Sequence, residues 1–465
     1  MKRIAILTAG GDTPALNATL HGAVARANQL KVETIGLLRG FDSLYDPRVP
    51  HVRLNPLFSP IPELDPNKGG SIIGSSRTYV DASDARGLDQ ISDRLKRLAI
   101  DGLVCVGGDG TLNGLQPLCD RIPTVLAPKT IDNDLGLNYP NEPDKWLRED
   151  DPNSKKGHKY LVRESGIRSV PSNIQLEQMV NYCTPGYATA VYVAVEGISR
   201  IRTTAESHRR VAIVEVMGRN SGYIALGTAY GQADIILVPE APIDVPRLVD
   251  RVKEIYELQR HAVIACGEGI VDEAGNVLGD TRRTSDPSGN VLLSGAAERL
   301  RQILVEQIGD DFFRRRFGSD NASTSIFTRK VGHTQRGGRP LVFDRFNAAQ
   351  LGGRAVDMLL EGQNNSVAIL QWNQDRGFYV SSCGANSFRD KYGVIHARTV
   401  HPSFYNPEMM NVSQTGVQYL LPIFRNAIGY DDVEHIRDTR FDSGNLYTRY
   451  HSVNADMEKR MCYLE

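Results

Sequence analysis

The chain has 465 residues, 41% of them hydrophobic, enough for two or three domains with packed cores. Lysine plus arginine (54) nearly balances aspartate plus glutamate (55), which argues against a nucleic-acid or membrane surface as the main partner. There is no apolar run of about 18 residues to span a membrane, and the run within Met1–Thr8 is too short for a signal peptide.

Short apolar runs alternate with segments of helical period, the pattern of an α/β chain with a mainly parallel sheet. The first strand is expected over 3–8, followed by the turn Gly10-Gly11-Asp12-Thr13 and a helix over 17–29. A buried strand over 102–106 runs into Gly107-Gly108-Asp109-Gly110-Thr111, and another over 124–127 runs into Pro128-Lys129-Thr130-Ile131-Asp132-Asn133-Asp134. Ligands gather at such strand ends in parallel sheets.

A second half follows, with strands over 211–216, 235–238 and 262–266 and helices over 185–202, 245–257 and 294–307, Ser294 serving as N-cap of the last. A strand over 326–331 leads through Gly332-His333-Thr334-Gln335-Arg336-Gly337-Gly338 to a helix over 344–361. Charge and proline mark 138–181 as a surface insertion, and turn residues within 271–290 suggest a hairpin. Beyond 371 the periodicity is weak, apart from a helix expected near 415–428. The resulting division is a donor half over 1–137, an insertion over 138–181, an acceptor half over 182–340, a segment over 341–370 packing back on the core, and an extension over 371–465 with no role assigned. Six cysteines form no C-x-x-C pair. Cys105 and Cys266 lie in apolar runs and read as buried strand residues, which suits a reducing, cytoplasmic setting.

Consecutive glycines after a strand free backbone N–H groups to approach phosphate oxygens, and Asp109 beside them can hold Mg²⁺ through its water shell. GGDG[ST] is shared by NAD kinases and diacylglycerol-type kinases, so it marks a phosphoryl donor site and leaves the acceptor open. Asp132 and Asp134 lie two apart, and on an extended stretch both would face one pocket. One carboxylate could then take a proton from an acceptor hydroxyl while the other sits near Mg²⁺. Arg210, Arg219, His333 and Arg336 flank the second-half strands and, gathered round one pocket, would clamp a phosphate.

Six blocks in this order, at 7–17, 69–77, 107–111, 128–134, 207–219 and 332–338, resemble bacterial-type 6-phosphofructokinases over residues 1 to about 362. The resemblance implies two Rossmann-like α/β halves with the active site between them, assembled as a homodimer or homotetramer. It implies phosphorylation of fructose 6-phosphate with Asp132 as general base, Thr130 and Asp134 beside the transferred phosphate, and Asp109 as the Mg²⁺ residue. It places Gly11, Arg77, Gly108, Gly110 and Thr111 at the donor, Arg77 also stabilising transition-state charge, and Phe41 against an adenine. Met217, Gly218, Arg219, Glu268, His333 and Arg336 fall at the sugar phosphate, and Arg210 reaches a neighbouring subunit.

Two features depart from the family. An arginine usual six residues before the histidine of Gly-His-x-Gln-Arg is here Phe327, and Arg329, on the same strand face, is the expected substitute. The basic residues of a nucleotide effector site are replaced by His21, Ala25, Glu257 and Gln259, so no such site is expected. Gly110 is typical of ATP enzymes and Lys129 of pyrophosphate enzymes, a mixture also found in long ATP-using members. The expected donor is ATP, with pyrophosphate as the alternative. Another ketose phosphate as acceptor, or a non-catalytic regulatory chain, are lesser readings.

Overall fold

The computed structural model describes residues 1–78, 80–151, 157–162, 173–279, 295–315, 320–439 and 442–465. In chain order, the elements that build the scaffold are β1 (Arg3–Ala9), α1 (Leu16–Gln29), β2 (Glu33–Leu37), β3 (His51–Arg53), α2 (Ala85–Arg97), β4 (Gly102–Gly107) and β5 (Thr124–Pro128). Then come α3 (Tyr187–His208), β6 (Val211–Val216), β7 (Ile235–Leu237), α4 (Val245–Gln259), β8 (Ala262–Gly267), α5 (Ala296–Ile308) and β9 (Ile326–Lys330). The last are α6 (Val342–Leu360), β10 (Ser366–Asn373), β11 (Gly377–Gly384) and α7 (Gln414–Phe424).

The larger sheet has the order β11-β10-β5-β4-β1-β2-β3, with the two-residue strand Ser75–Ser76 also pairing with β1. It is parallel except at its two edges, where β3 and β11 run antiparallel to their neighbours. The second sheet, β7-β8-β6-β9, is wholly parallel. This is an α/β protein with mainly parallel sheets. The inner strands of each sheet are covered on both faces, so they read as continuous apolar runs, while the edge strands β3, β9 and β11 are partly exposed. Ile4 and Ile6 of β1 enter a core shared with α1, α3, α6 and the inner face of the second sheet, while Ala5 and Leu7 enter a separate core with α2. Val211 and Ile213 face a third core under α4 and α5.

Helices α1 and α6 meet backbone to backbone. A Cβ on Gly22 would lie 2.0 Å from the Ala349 carbonyl oxygen, and one on Gly352 would lie 2.1 Å from that of Thr19. The strand readings agree with the structure to within about a residue at each end. Helix α3 begins later than expected because Gly186 takes φ +104°, outside helical space, and it runs on to His208. Gly295 stands at the N-cap of α5, and Ser294 lies outside the described residues. The insertion over 138–181 carries an antiparallel hairpin, Trp146–Asp150 with His158–Val162. In the 271–290 stretch a Val271–Val277 bridge closes a turn, and residues from 280 lie outside the described set.

The region after 341 departs most from expectation. Strand β10 runs across the 370/371 division and pairs with β5, so the extension adds a hairpin to the first sheet. Among the described residues no helix is long and apolar enough to cross a membrane.

Candidate active site

A cavity of about 170 Å³ opens at the carboxyl ends of β1, β4 and β5, facing the turns after β6 and β8. An outer cleft of about 600 Å³ continues from it. Gly10, Gly11, Arg77, Thr78 and Arg336 border both.

The glycine turns bring the backbone close. Gly10 has φ +84°, and its N–H donates to the Ser76 carbonyl at 2.8 Å, drawing the Arg77 segment to the end of β1. Asn17, buried in the first turn of α1, pins the same segment by accepting from Ile72 N at 2.9 Å and donating to the Lys68 carbonyl at 3.1 Å. A Cβ on Gly107 would lie 2.0 Å from Thr111 Oγ1, so the turn after β4 closes only with glycine there. Gly110 differs, since a Cβ there would meet nothing within 4 Å.

The 130–134 segment is a turn and not the extended stretch expected. Thr130 Oγ1 accepts from Asp132 N at 3.1 Å and donates to Asp134 Oδ1 at 2.9 Å, curling the backbone around Asn133, whose φ is +55°. Asp132 and Asp134 still both line the cavity, with Gly108, Asp109, Thr111, Lys129, Thr130, Arg219, Glu268 and Arg336. Burial raises all four carboxyls. Asp134 is pushed up to about 8 by burial and then by the like charges of Asp109 and Asp132. Asp109 and Asp132 are also raised by burial, opposed for Asp132 by Arg336, Arg219 and Lys129. Glu268 is pushed up to about 7 by burial and by Asp132. Lys129 is lowered to about 8 by burial and then by Arg336. Four polar atoms of residues lining this cavity are buried without a hydrogen-bond partner: Thr13 Oγ1, Asp132 Oδ1, Arg219 Nε and Arg336 Nε.

Arg77 and Arg336 converge on Gly11. A Cβ built there would lie 3.9 Å from Arg77 Nη2 and 2.9 Å from Arg336 Nη1. His333 borders the outer cleft only. Met217 is buried behind the cavity and donates its N–H to Gln335 Oε1 at 2.9 Å, while Gly218 turns the chain at φ +125° to deliver Arg219.

Some expected residues stand apart. Phe41 borders the cavity and is 1% exposed, its ring packed in the core with α2. Arg210 precedes β6, at the strand end opposite the cavity, and lines neither space. Arg329 is exposed on β9, its guanidinium 5.9 Å from the Phe327 ring centroid, and also lines neither. Sequence reasoning missed Thr13, which lines the cavity, is 1% exposed and carries an unpartnered Oγ1. Its place directly after Gly11-Asp12 was the available signal.

Among the described residues no three His, Cys, Asp or Glu side chains close on a point that could hold a metal ion. The arrangement suits Mg²⁺ carried mainly by phosphate oxygens and water, with one carboxylate such as Asp109, the mode this ion favours.

The phosphofructokinase family profile matches residues 3–138 and 153–359. The chain belongs to the phosphofructokinase family. It is 33% identical over 380 residues to an ATP-dependent 6-phosphofructokinase of Corynebacterium efficiens, covering 80% of this chain and 91% of that one. It is also 33% identical over 374 residues to a pyrophosphate–fructose 6-phosphate 1-phosphotransferase of Amycolatopsis methanolica, covering 79% and 90%. The crystal structure of a pyrophosphate-dependent phosphofructokinase from Marinobacter aquaeolei superposes with a TM-score of 0.65 at 17% identity over 92% of each chain, a likeness of fold. The family relatives thus include both donor classes.

Proposed function

We propose that this phosphofructokinase transfers a phosphoryl group from ATP to the 1-hydroxyl of fructose 6-phosphate, giving fructose 1,6-bisphosphate, with Asp132 as general base. The observation that carries the reading is the meeting in one cavity of an unpartnered carboxylate oxygen, Asp132 Oδ1, and two unpartnered guanidinium nitrogens, Arg219 Nε and Arg336 Nε. A carboxylate oxygen without a partner beside two guanidinium nitrogens without partners suits an acceptor that brings both a hydroxyl and a phosphate. Asp132 takes the hydroxyl proton as the oxygen attacks. Its raised affinity for protons, set by burial, moves it toward the range in which a base works near neutral pH. Thr130 orients Asp134 and the Asp132 backbone through the bonds already described. Arg77 and Arg336, converging on Gly11, counter charge on the transferred group. Glu268 accepts from sugar hydroxyls, and His333, from the outer cleft, joins the phosphate clamp with Arg336. Asp109 would hold Mg²⁺, which when bound neutralises charge on the donor phosphates.

The donor assignment rests on Gly110, where open space leaves room for a nucleotide's α-phosphate. A second reading, pyrophosphate as donor, draws on Lys129, which places a buried ammonium beneath the Gly10–Gly11 turn. Arg210 and Arg329 serve the acceptor phosphate of a neighbouring subunit in a homodimer or homotetramer. The test is direct. Purified protein with Mg²⁺ and fructose 6-phosphate should form fructose 1,6-bisphosphate with ATP. Product with pyrophosphate alone selects the second reading, and no product from either donor overturns both.

A further inference from the structure

Asn133 sits between the two carboxylates of the 130–134 turn in the left-handed region, at φ +55°. That conformation is unfavourable for most residues and is tolerated by Asn when its side chain and backbone are held. The direction of Asp132 and Asp134 depends on it, because it turns the chain between them.

Arg398 and Tyr419 of the C-terminal extension, together with Thr184, hold it. Arg398 donates to the Asn133 carbonyl oxygen from Nε at 3.1 Å and Nη2 at 2.7 Å, and to Asn133 Oδ1 from Nη2 at 2.8 Å. Its Nη1 donates to the Asn181 carbonyl at 2.7 Å, and its backbone N–H donates to the Asp134 carbonyl at 2.7 Å. From the other side, Asn133 Nδ2 donates to Tyr419 Oη at 2.5 Å, and Asn133 Oδ1 accepts from Thr184 N at 3.0 Å. Arg398 is 2% exposed and Tyr419 is fully buried. Burying a guanidinium is unfavourable unless its donors are satisfied, and the Arg398 donors go to backbone carbonyls and one side-chain amide. Most of those bonds fall on a single residue, the one between the two site carboxylates. Neither Arg398 nor Tyr419 borders the active-site cavity, and both lie outside the residues matched by the family profile.

We propose that Arg398 and Tyr419 are positioning residues, a clamp by which the C-terminal extension holds Asn133 left-handed and so aims Asp132 at the acceptor hydroxyl. The proposal rests on the reading of Asp132 as base. It gives the extension a function in the first sheet's active-site turn.

The experiment is steady-state kinetics and thermal unfolding of Arg398→Gln, Arg398→Lys and Tyr419→Phe, with Asp132→Ser alongside. A base misplaced by about an ångström loses on the order of 10² in rate, so Arg398→Gln should lose about that in kcat with both KM values near wild type. Arg398→Lys, keeping the charge and part of the bonding, should recover some of it. Tyr419→Phe, which removes one hydroxyl, should lose a smaller factor of about 3–10, as for one hydrogen bond, with little change in Tm. If Arg398 variants do not fold, Tyr419→Phe decides alone by the same criterion. Wild-type kcat in folded variants, or a kcat loss that vanishes at low temperature where the protein is fully folded, overturns the clamp while leaving Asp132 as base. Retained kcat in Asp132→Ser overturns the base assignment, and the clamp falls with it.

Discussion

Lys129 donates a hydrogen bond from its ammonium to the carbonyl oxygen of Gly11, joining the end of β5 to the glycine turn after β1. A Cβ built on Gly10 would lie 3.4 Å from that Nζ. The charge therefore sits under the donor turn, while Gly110, one strand away, faces open space. The two positions should control different things. Gly110→Asp fits sterically and puts a carboxylate where a nucleotide α-phosphate must pass, so it should abolish ATP use by repulsion. With Lys129 present it can admit pyrophosphate instead. Lys129→Gly should lower kcat and leave the preference for ATP unchanged. Donor competition assays on the two variants check this, and ATP turnover surviving in Gly110→Asp would remove Gly110 as the gate.

Arg210 stands at the wrong end of β6 to reach its own cavity. If it serves a neighbour, Asp132→Ala and Arg210→Ala chains, each inactive alone, should recover part of the activity on co-assembly, because some mixed sites draw no damaged residue from either chain. A demonstrated mixed oligomer with no recovery would return Arg210 to a role within its own subunit.

Arg329 and Phe327 share one face of β9, with the guanidinium over the ring. Arg329→Ala should raise the KM for fructose 6-phosphate and spare that for the donor. The loss of one charged hydrogen bond, about 1.5–3 kcal/mol, corresponds to roughly ten- to a hundredfold. Unchanged acceptor KM would leave Arg329 an ordinary exposed strand residue.

Glu240 ties the extension to the second half, with Oε1 accepting from Gly222 N at 2.9 Å and Val400 N at 2.7 Å, while Oε2 is buried without a partner. Burial pushes it up to about 7. Because the folded-state value lies above the unfolded one, its contribution to stability is full below the ordinary glutamate range and is lost as pH rises through about 7. Glu240→Gln removes that titration. The Tm of the variant relative to wild type should therefore rise between about pH 5 and pH 8, as the linkage sign requires. A flat difference across that window would show that Glu240 ionises in the folded protein as it does in the unfolded chain.

Strands β1, β4 and β5 of the first sheet and the four strands of the second were legible because most of them are buried on both faces, so each apolar run has sharp borders, whereas β2 and β3 were not read. The cavity residues after β1, β4 and β5 were legible for the same reason, since a parallel sheet places those turns together. The 130–134 turn was misread as extended because its shape is set by Thr130 Oγ1 and by Asn133, not by an alternating pattern. Arg398 was invisible. Its partners lie more than 200 residues away in sequence, and a charged residue satisfied by backbone carbonyls leaves no trace in local periodicity. Strand β10 was missed because it forms a half-buried, mixed-polarity hairpin with β11 and pairs with the distant β5.

The central claim is that Asp132 takes the proton of the acceptor hydroxyl, and the kcat of Asp132→Ser with fructose 6-phosphate and saturating donor tests it most directly. Loss of a general base costs about 10²–10⁴ in rate, so kcat should fall by at least about 10²-fold with the donor KM little changed. A folded Asp132→Ser enzyme that turns over at close to the wild-type rate would contradict the account.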